Sequence, residues 1–242
     1  MASITEQVST SIDALTREFE VIAHNLANAS TTGYKRRCNA FSKALDAQDP
    51  ESLSPGTIDL DSAFDFSQGT VAETGRPLDF ALYGKGFFVI ETPDGPLYTR
   101  NGTFLTNQNN QIVDTLGRTV AGEAGPITVP ANASLLQLTV SSEGTVSAGG
   151  TPIGKFRLVD FPDDQTKLVP TGDSCYRMPD PTIAPVPAER LIVKQGYQEA
   201  SNVKIVDELV DMILVSRLYE ANMKSLTAAK EASSSLTSAA MG

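Results

Sequence analysis

Apolar residues recur at helical spacing at both ends of the chain, and each of these seams needs something to bury it. At the N-terminal end Ile4, Val8, Ser11, Leu15, Phe19, Ile22, Leu26 and Ala29 step by fours and threes. That spacing draws one apolar stripe down a helix. At the C-terminal end Ile205, Leu209, Met212, Ser216, Tyr219, Met223 and Leu226 do the same, in the alternation of a heptad seam. Val206, Val210 and Ile213 widen it. The simplest use of two such seams is to pack on one another, and then on copies of themselves.

The first helix is expected over residues 3–29. Ser30, Thr31 and Thr32 compete for backbone hydrogen bonds and Gly33 tolerates positive φ, so Asn28 to Gly33 reads as a helix terminus. Tyr34-Lys35-Arg36-Arg37 reads as an exposed basic exit. Residues 38–70 are rich in Asp, Ser and Gly and read as an extended connector, with a short helical turn at Phe41 to Leu45. The second helix follows Ser201 or Asn202, either of which can cap it, with Asp207 and Glu208 where the helix dipole favours anions. From Ala232 the tail is rich in Ser and Ala, and the helix is expected to weaken.

Between Thr70 and Val193 short apolar runs alternate with turn signals, which argues a β-rich domain. Leu78 to Leu82 reads as a strand, Gly84-Lys85-Gly86 as a turn, and Phe87 to Ile90 as a buried strand. Asp94-Gly95 turns the chain back into Leu97-Tyr98-Thr99 as a hairpin partner. Further strands are expected at Phe104-Leu105, Gln111 to Asp114, Thr119-Val120, Ile127 to Val129, Leu136 to Val140, Thr145 to Ser147 and Ile153 to Asp160. Pro179 to Pro187 reads as a loop.

Several function classes are excluded or weakened by composition. A net charge of −10 is wrong for nucleic acid, whose phosphates demand a basic face. The sole histidine, His24, rules out His-based triads and His-rich metal sites, and reads as a surface or interface residue. Cys38, beside Lys35, Arg36 and Arg37, reads as an incidental thiol, and two cysteines make no disulfide framework. Gly84-Lys85-Gly86 lacks the spacing of a phosphate loop. Asp59, Asp61 and Asp65 lack the glycine and glutamate of a calcium loop. No catalytic, cofactor or metal residue is assigned. The N-terminus has no basic segment followed by an apolar one, so no cleaved secretory signal is expected.

Three groups of residues stand out as phrases. The first is Asn25-Leu26-Ala27-Asn28 followed by Thr31-Thr32-Gly33-Tyr34-Lys35-Arg36. The second is Thr74 to Asp79, Gly84 to Phe88, Tyr98 to Gly102 and Gly125-Pro126-Ile127. The third is Gln195-Gly196-Tyr197, Glu199, Ser201-Asn202-Val203, Glu208-Leu209-Val210, Met212-Ile213, Arg217 and Tyr219-Glu220. Together, in this order, they resemble the bacterial flagellar rod and hook proteins. The length leaves no room for the extra outer domain of the hook protein. The Thr74–Asp79 phrase, the length and Lys224 resemble the proximal-rod class; Gly84 to Phe88 and Tyr197 resemble the distal-rod class equally. The family's usual opening phrase is replaced here by Ser3 to Asp13.

The resemblance implies a non-enzymatic structural subunit of the basal body, exported by the flagellar type III apparatus without a cleaved signal. It implies assembly through the terminal helices with its own copies and with neighbouring rod and hook subunits, without membrane insertion. The fold expected is α+β: N- and C-terminal helices in a coiled-coil-like bundle, with an inserted all-β domain. Its parts are an N-terminal inner segment (1–37), a connector (38–70), an outer β domain (71–195) and a C-terminal inner helix (196–242). Subunit-interface residues expected are Val8, Leu15, Phe19, Ile22, Leu26, Ile205, Leu209, Met212, Tyr219, Met223 and Leu226. The family motif is assigned to Asn25, Leu26, Ala27, Asn28, Thr32, Gly33, Tyr34, Ser201, Asn202, Val203, Arg217 and Glu220. A competing reading is a soluble β-domain binding module for a cell-wall glycan or small ligand.

Overall fold

The computed structural model describes residues 4–38 and 63–241. The turn expected at Phe41 to Leu45, together with Asp59 and Asp61, lies outside the described residues. The fold is α+β. Two helices, α1 (Ile4–Ala27) and α2 (Ile205–Met241), flank a long series of short antiparallel strands. Contacts divide the chain into two units. The first holds the described residues up to Ala27, Arg37–Cys38, Ala63 and the chain from Val203. The second holds Asn28–Arg36 and Phe64–Asn202.

In the first unit Leu15 and Ile22 of α1 are buried with Val215 of α2, and Leu26 and Met212 pack against them. Leu15, Ile22 and Leu26 of the predicted α1 stripe pack here, whereas Ser11 and Phe19 of the same stripe are exposed and Glu18, outside it, is buried. On α2 the buried line runs through Glu208, Met212 and Val215, sharing only Met212 with the predicted seam. The reason lies in the sequence: the first turns of α2 carry a broad apolar face, Ile205 to Leu214, and an acidic side with Asp207, Glu208 and Asp211, and the line packed on α1 runs along the edge of the acidic side, which hydrophobic spacing does not select. Ile205, Val206, Leu209, Val210, Ile213 and Leu214 stay exposed. α2 also continues through the Ser/Ala-rich tail as far as Met241. Alanine is the strongest helix former, and no Gly or Pro interrupts that stretch before Gly242.

The second unit is built around Phe87–Glu91, which pairs on one side with Leu97–Thr99 in the expected hairpin and elsewhere with Thr119–Gly122 and Leu158–Asp160. Successive side chains of a strand point to opposite faces. Here Phe88 and Ile90 enter one core, with Phe80, Phe104 and Phe156, while Phe87 and Val89 enter another, with Tyr98, Phe161 and Tyr176. That double burial is why this strand is apolar at consecutive positions. The sheet extends through Cys175–Arg177 to Val169–Gly172 on one edge, and through Ile112–Val113 to Leu105–Thr106 on the other. Leu138–Val140, Thr145–Ala148 and Thr151–Lys155 form a separate three-stranded sheet.

Other expectations need adjustment. Ile127 to Val129 carries only an isolated bridge, Gln111 to Thr128. Leu135–Gln137 is a 3-10 turn capped by Ser134. Val186–Pro187, inside the expected proline-rich loop, pairs with Leu158–Asp160. Ile192–Gln195 pairs with Phe80–Tyr83, and Tyr197–Glu199 with Val71–Glu73. Those strands are short, or too polar to carry an alternating apolar signal.

Phe88 is fully buried, with edge-on rings at 5.1 Å (Phe104) and 5.6 Å (Phe156). Phe88→Ala is expected to lower the unfolding free energy by about 3–5 kcal/mol. Chemical denaturation followed by near-ultraviolet circular dichroism checks this.

Candidate functional site

Lys35, read from sequence as part of an exposed basic exit, is instead fully buried, and Tyr34 beside it is 6% exposed. An ammonium leaves water at a cost of several kcal/mol unless it gains a counter-charge and hydrogen-bond partners. Lys35 gains both. Its Nζ lies 2.7 Å from Glu199 Oε1 and donates to Ser67 O at 2.6 Å. Burial pulls the Lys35 ammonium below its ordinary range, and Glu199 opposes that pull.

Glu199 serves more than one partner. Its Oε1 also accepts from the Gly69 N–H at 3.0 Å, and its Oε2 from Arg100 Nε at 2.9 Å. The rest of the Arg100 fork goes to backbone carbonyls. Nη1 donates to Gly84 O and Gly86 O at 2.8 and 2.6 Å, and Nη2 to Leu82 O at 3.3 Å. Gly84-Lys85-Gly86 thus turns carbonyls onto a cation, the reverse of a loop that cradles phosphate with N–H groups. Two cations share one carboxylate, and peptide oxygens absorb the excess positive charge.

The backbone around this hub is equally committed. The Gly33 N–H donates to Glu199 O at 2.7 Å. Gly33 has φ +68°, and a β-carbon there would meet Asn101 N at 2.5 Å, so only glycine suits. Asn202 Oδ1 accepts from the Arg36 N–H at 2.7 Å while its Nδ2 donates to Asp65 O at 2.8 Å. That side chain therefore ties three passes of the chain together and is not spent on capping α2. Beside the hub, Asp79 Oδ2 accepts from Thr74 Oγ1 at 2.7 Å and Gln198 Nε2 at 2.9 Å. The Thr74–Asp79 phrase is in this way clasped to the Gln195–Glu199 stretch.

A second polar brace lies in the first unit. Asn25, fully buried, accepts from the Arg37 N–H at 2.8 Å and donates to Arg37 O at 2.9 Å. Its Nδ2 also donates to Glu208 Oε2 at 3.2 Å. One amide so binds the returning chain with both of its ends and reaches the buried carboxylate of α2.

The structure brings the motif residues Thr32, Gly33, Tyr34, Ser201 and Asn202 to the second unit, and Asn25, Leu26, Ala27 and Val203 to the first. Asn28 accepts from Thr31 in the turn that ends α1. Arg217 and Glu220 are exposed on α2. Of the expected interface set, Leu15 and Ile22 are buried, and Leu26, Met212 and Leu226 are half-buried. Phe19, Ile205, Leu209, Tyr219 and Met223 are exposed, and Val8 lies on α1. Arg100, Glu199 and Val215 carry no role read from sequence, and Glu208 reads there only as an acid favoured by the helix dipole. For the three charged residues the available signal was their place inside recurring phrases.

His24 is exposed; partial burial, then Arg37, lowers its pKa. Cys38 and Cys175 are both buried thiols. Burial raises the Cys175 thiol above its ordinary range, while Arg118 Nη2, 3.3 Å from the sulfur, opposes the shift. No described helix is long and apolar enough to cross a membrane.

An α+β subunit whose terminal helices leave apolar surface uncovered, and whose sequence phrases converge on one buried hub, has the character of a structural assembly protein. Residues 12–35 match the family "Flagella basal body rod protein", residues 81–148 "Flagellar hook protein FlgE/F/G D1 domain", and residues 194–239 "Flagellar basal body rod FlgEFG protein C-terminal". The flagellar basal-body rod protein FlgF of Caulobacter vibrioides is 36% identical, covering 91% of each chain. FlgG of Agrobacterium fabrum is 34% identical, over 93% of this chain and 95% of its own. FlgF of Escherichia coli is 36% identical over 84% of each. The chain belongs to the flagellar basal-body rod protein family. That family is structural and not enzymatic, and its members assemble with other rod and hook subunits in the basal body.

Glu199→Gln leaves two buried cations without a counter-ion, whereas Lys35→Met leaves Glu199 paired with Arg100. The first is expected to cost about 3–5 kcal/mol and the second clearly less; a variant order reversed in urea titration would contradict the hub. Native protein is expected to leave both thiols slow towards a thiol reagent at about pH 7.5, and to release both on denaturation. Because burial raises the folded Cys175 pKa, the stability it contributes is fully present below the ordinary thiol value and is lost as pH rises from there through the raised folded value. Cys175→Ala removes that part of the alkaline slope in a thermal melt series.

Proposed function

We propose that this chain is a structural subunit of the flagellar basal-body rod. It assembles through its terminal helices, as a coiled-coil-like inner layer, with its own copies and adjoining rod and hook subunits into the hollow axial shaft that transmits torque to the hook. The observation that carries this reading is the run of exposed apolar residues on α2, Ile205 to Leu214, beside a buried cluster that uses only one line of that helix. Contiguous apolar surface of this kind marks a protein interface. Head-to-tail contacts that do not close on themselves then give a helical filament. In this arrangement residues 71–195 form the outer β layer around an inner layer of terminal helices. Delivery through the flagellar type III export apparatus belongs to the same reading. The proximal-rod type is favoured over the distal by the Thr74–Asp79 phrase, the length and Lys224.

The test is Leu209→Asp in a strain lacking its own copy of the protein. Leu209 is 47% exposed in the single chain, so the variant should fold normally by circular dichroism. Burying an unpaired carboxylate in an assembled seam is expected to cost several kcal/mol and to abolish swimming in soft agar. Normal motility would overturn the proposal.

A further inference from the structure

The segment Asn28–Arg36 is flanked in sequence by stretches of the first unit, yet it belongs to the second. It is held there much as a peptide is held in a groove. Its residues enter no strand ladder. The bonds that hold it include Gly33 N–H to Glu199 O at 2.7 Å, Arg36 N–H to Asn202 Oδ1 at 2.7 Å, Asp65 N–H to Arg36 O at 2.9 Å, Lys35 Nζ to Ser67 O at 2.6 Å and Ser174 Oγ to Thr32 O at 3.2 Å. Three side-chain requirements give the segment an identity. Gly33 must lack a β-carbon, Tyr34 must be buried, and Lys35 must reach Glu199. The groove itself stays balanced when Lys35 leaves, because Glu199 keeps Arg100 and the Gly69 N–H.

We propose that the β unit carries a peptide-binding groove for a Gly-Tyr-Lys-Arg segment, filled in cis by residues 28–36 and able to take the same segment from a second copy of this chain. The lock is the Glu199 carboxylate, which reads a lysine directly after a glycine–aromatic pair. Identical chains carry identical segments, and packing copies side by side raises the effective concentration at which one is offered to its neighbour's groove. This inference is independent of the rod assignment, and its failure would leave that assignment standing.

The experiment uses the full chain carrying Gly33→Val, which blocks docking in cis and leaves the groove residues intact. A fluorescently labelled peptide of residues 28–36 is titrated in and followed by anisotropy. Saturable binding is expected. It should weaken at least about tenfold for the peptide with Lys35→Met, and likewise for the chain that also carries Glu199→Gln. No binding, or binding indifferent to both changes, overturns the proposal, as does outright loss of the fold in Gly33→Val. Hydrogen exchange on the unaltered chain supplies a second measure. The Gly33 and Arg36 amides are expected to exchange at least about tenfold faster than those of Val89 and Tyr98. Equal protection at all four would show an inseparable part of the core and overturn the proposal.

Discussion

One carboxylate holds the second unit's chain crossings in register. Glu199 sits between Lys35, Arg100 and the Gly69 N–H, and among the described residues no other acid is hydrogen-bonded to either cation. A buried ion pair contributes little net stability when desolvation is set against Coulomb attraction, yet removing one partner of such a pair is severe. The hub is therefore better understood as a device of specificity than as a source of stability. An arrangement that misplaces the C-terminal crossing leaves Lys35 and Arg100 without their counter-charge, whereas one that loses only the N-terminal crossing leaves Glu199 paired with Arg100. The carbonyls of Leu82, Gly84 and Gly86 complete it by supplying partial negative charge to the rest of the Arg100 fork.

The two cores that meet at Phe87–Glu91 explain why the β unit tolerates so many short strands. Each outlying pair adds only a few ladder bonds, but the central strand is buried on both faces and its neighbours inherit that burial. Asn25 plays the analogous part in the first unit, where a buried amide satisfies backbone groups that no ladder reaches.

Much of this was legible in the sequence. Leu15, Ile22 and Leu26 of the α1 stripe, the helix terminus beginning at Asn28, the Phe87 to Thr99 hairpin and the order of helix, strands and helix follow from spacing and turn chemistry. What was illegible has a common cause. A buried lysine looks like a surface lysine until its counter-charge is located, and Glu199 lies 164 residues away. Glu208, buried beside Asn25, is hidden in the same way: it looks like an ordinary dipole-favoured acid in the first turn of α2. The stripe used on α2 was missed because it runs beside Glu208 at the edge of the acidic side, whereas spacing points to the broad apolar face that stays exposed. Strands such as Val71–Glu73 exist only because Tyr197–Glu199 lies alongside.

That same 164-residue separation has a kinetic side. Most pairings in the β unit are hairpins that close over short loops, and those can form early. Joining Lys35 to Glu199 closes almost the whole unit, and loop entropy with high contact order places such a contact late. A chain that emerges N-terminus first therefore carries its lysine unmatched until nearly all of the β unit has arrived. The hub then acts as a completeness check: a chain interrupted anywhere before residue 199 has no buried place for that charge.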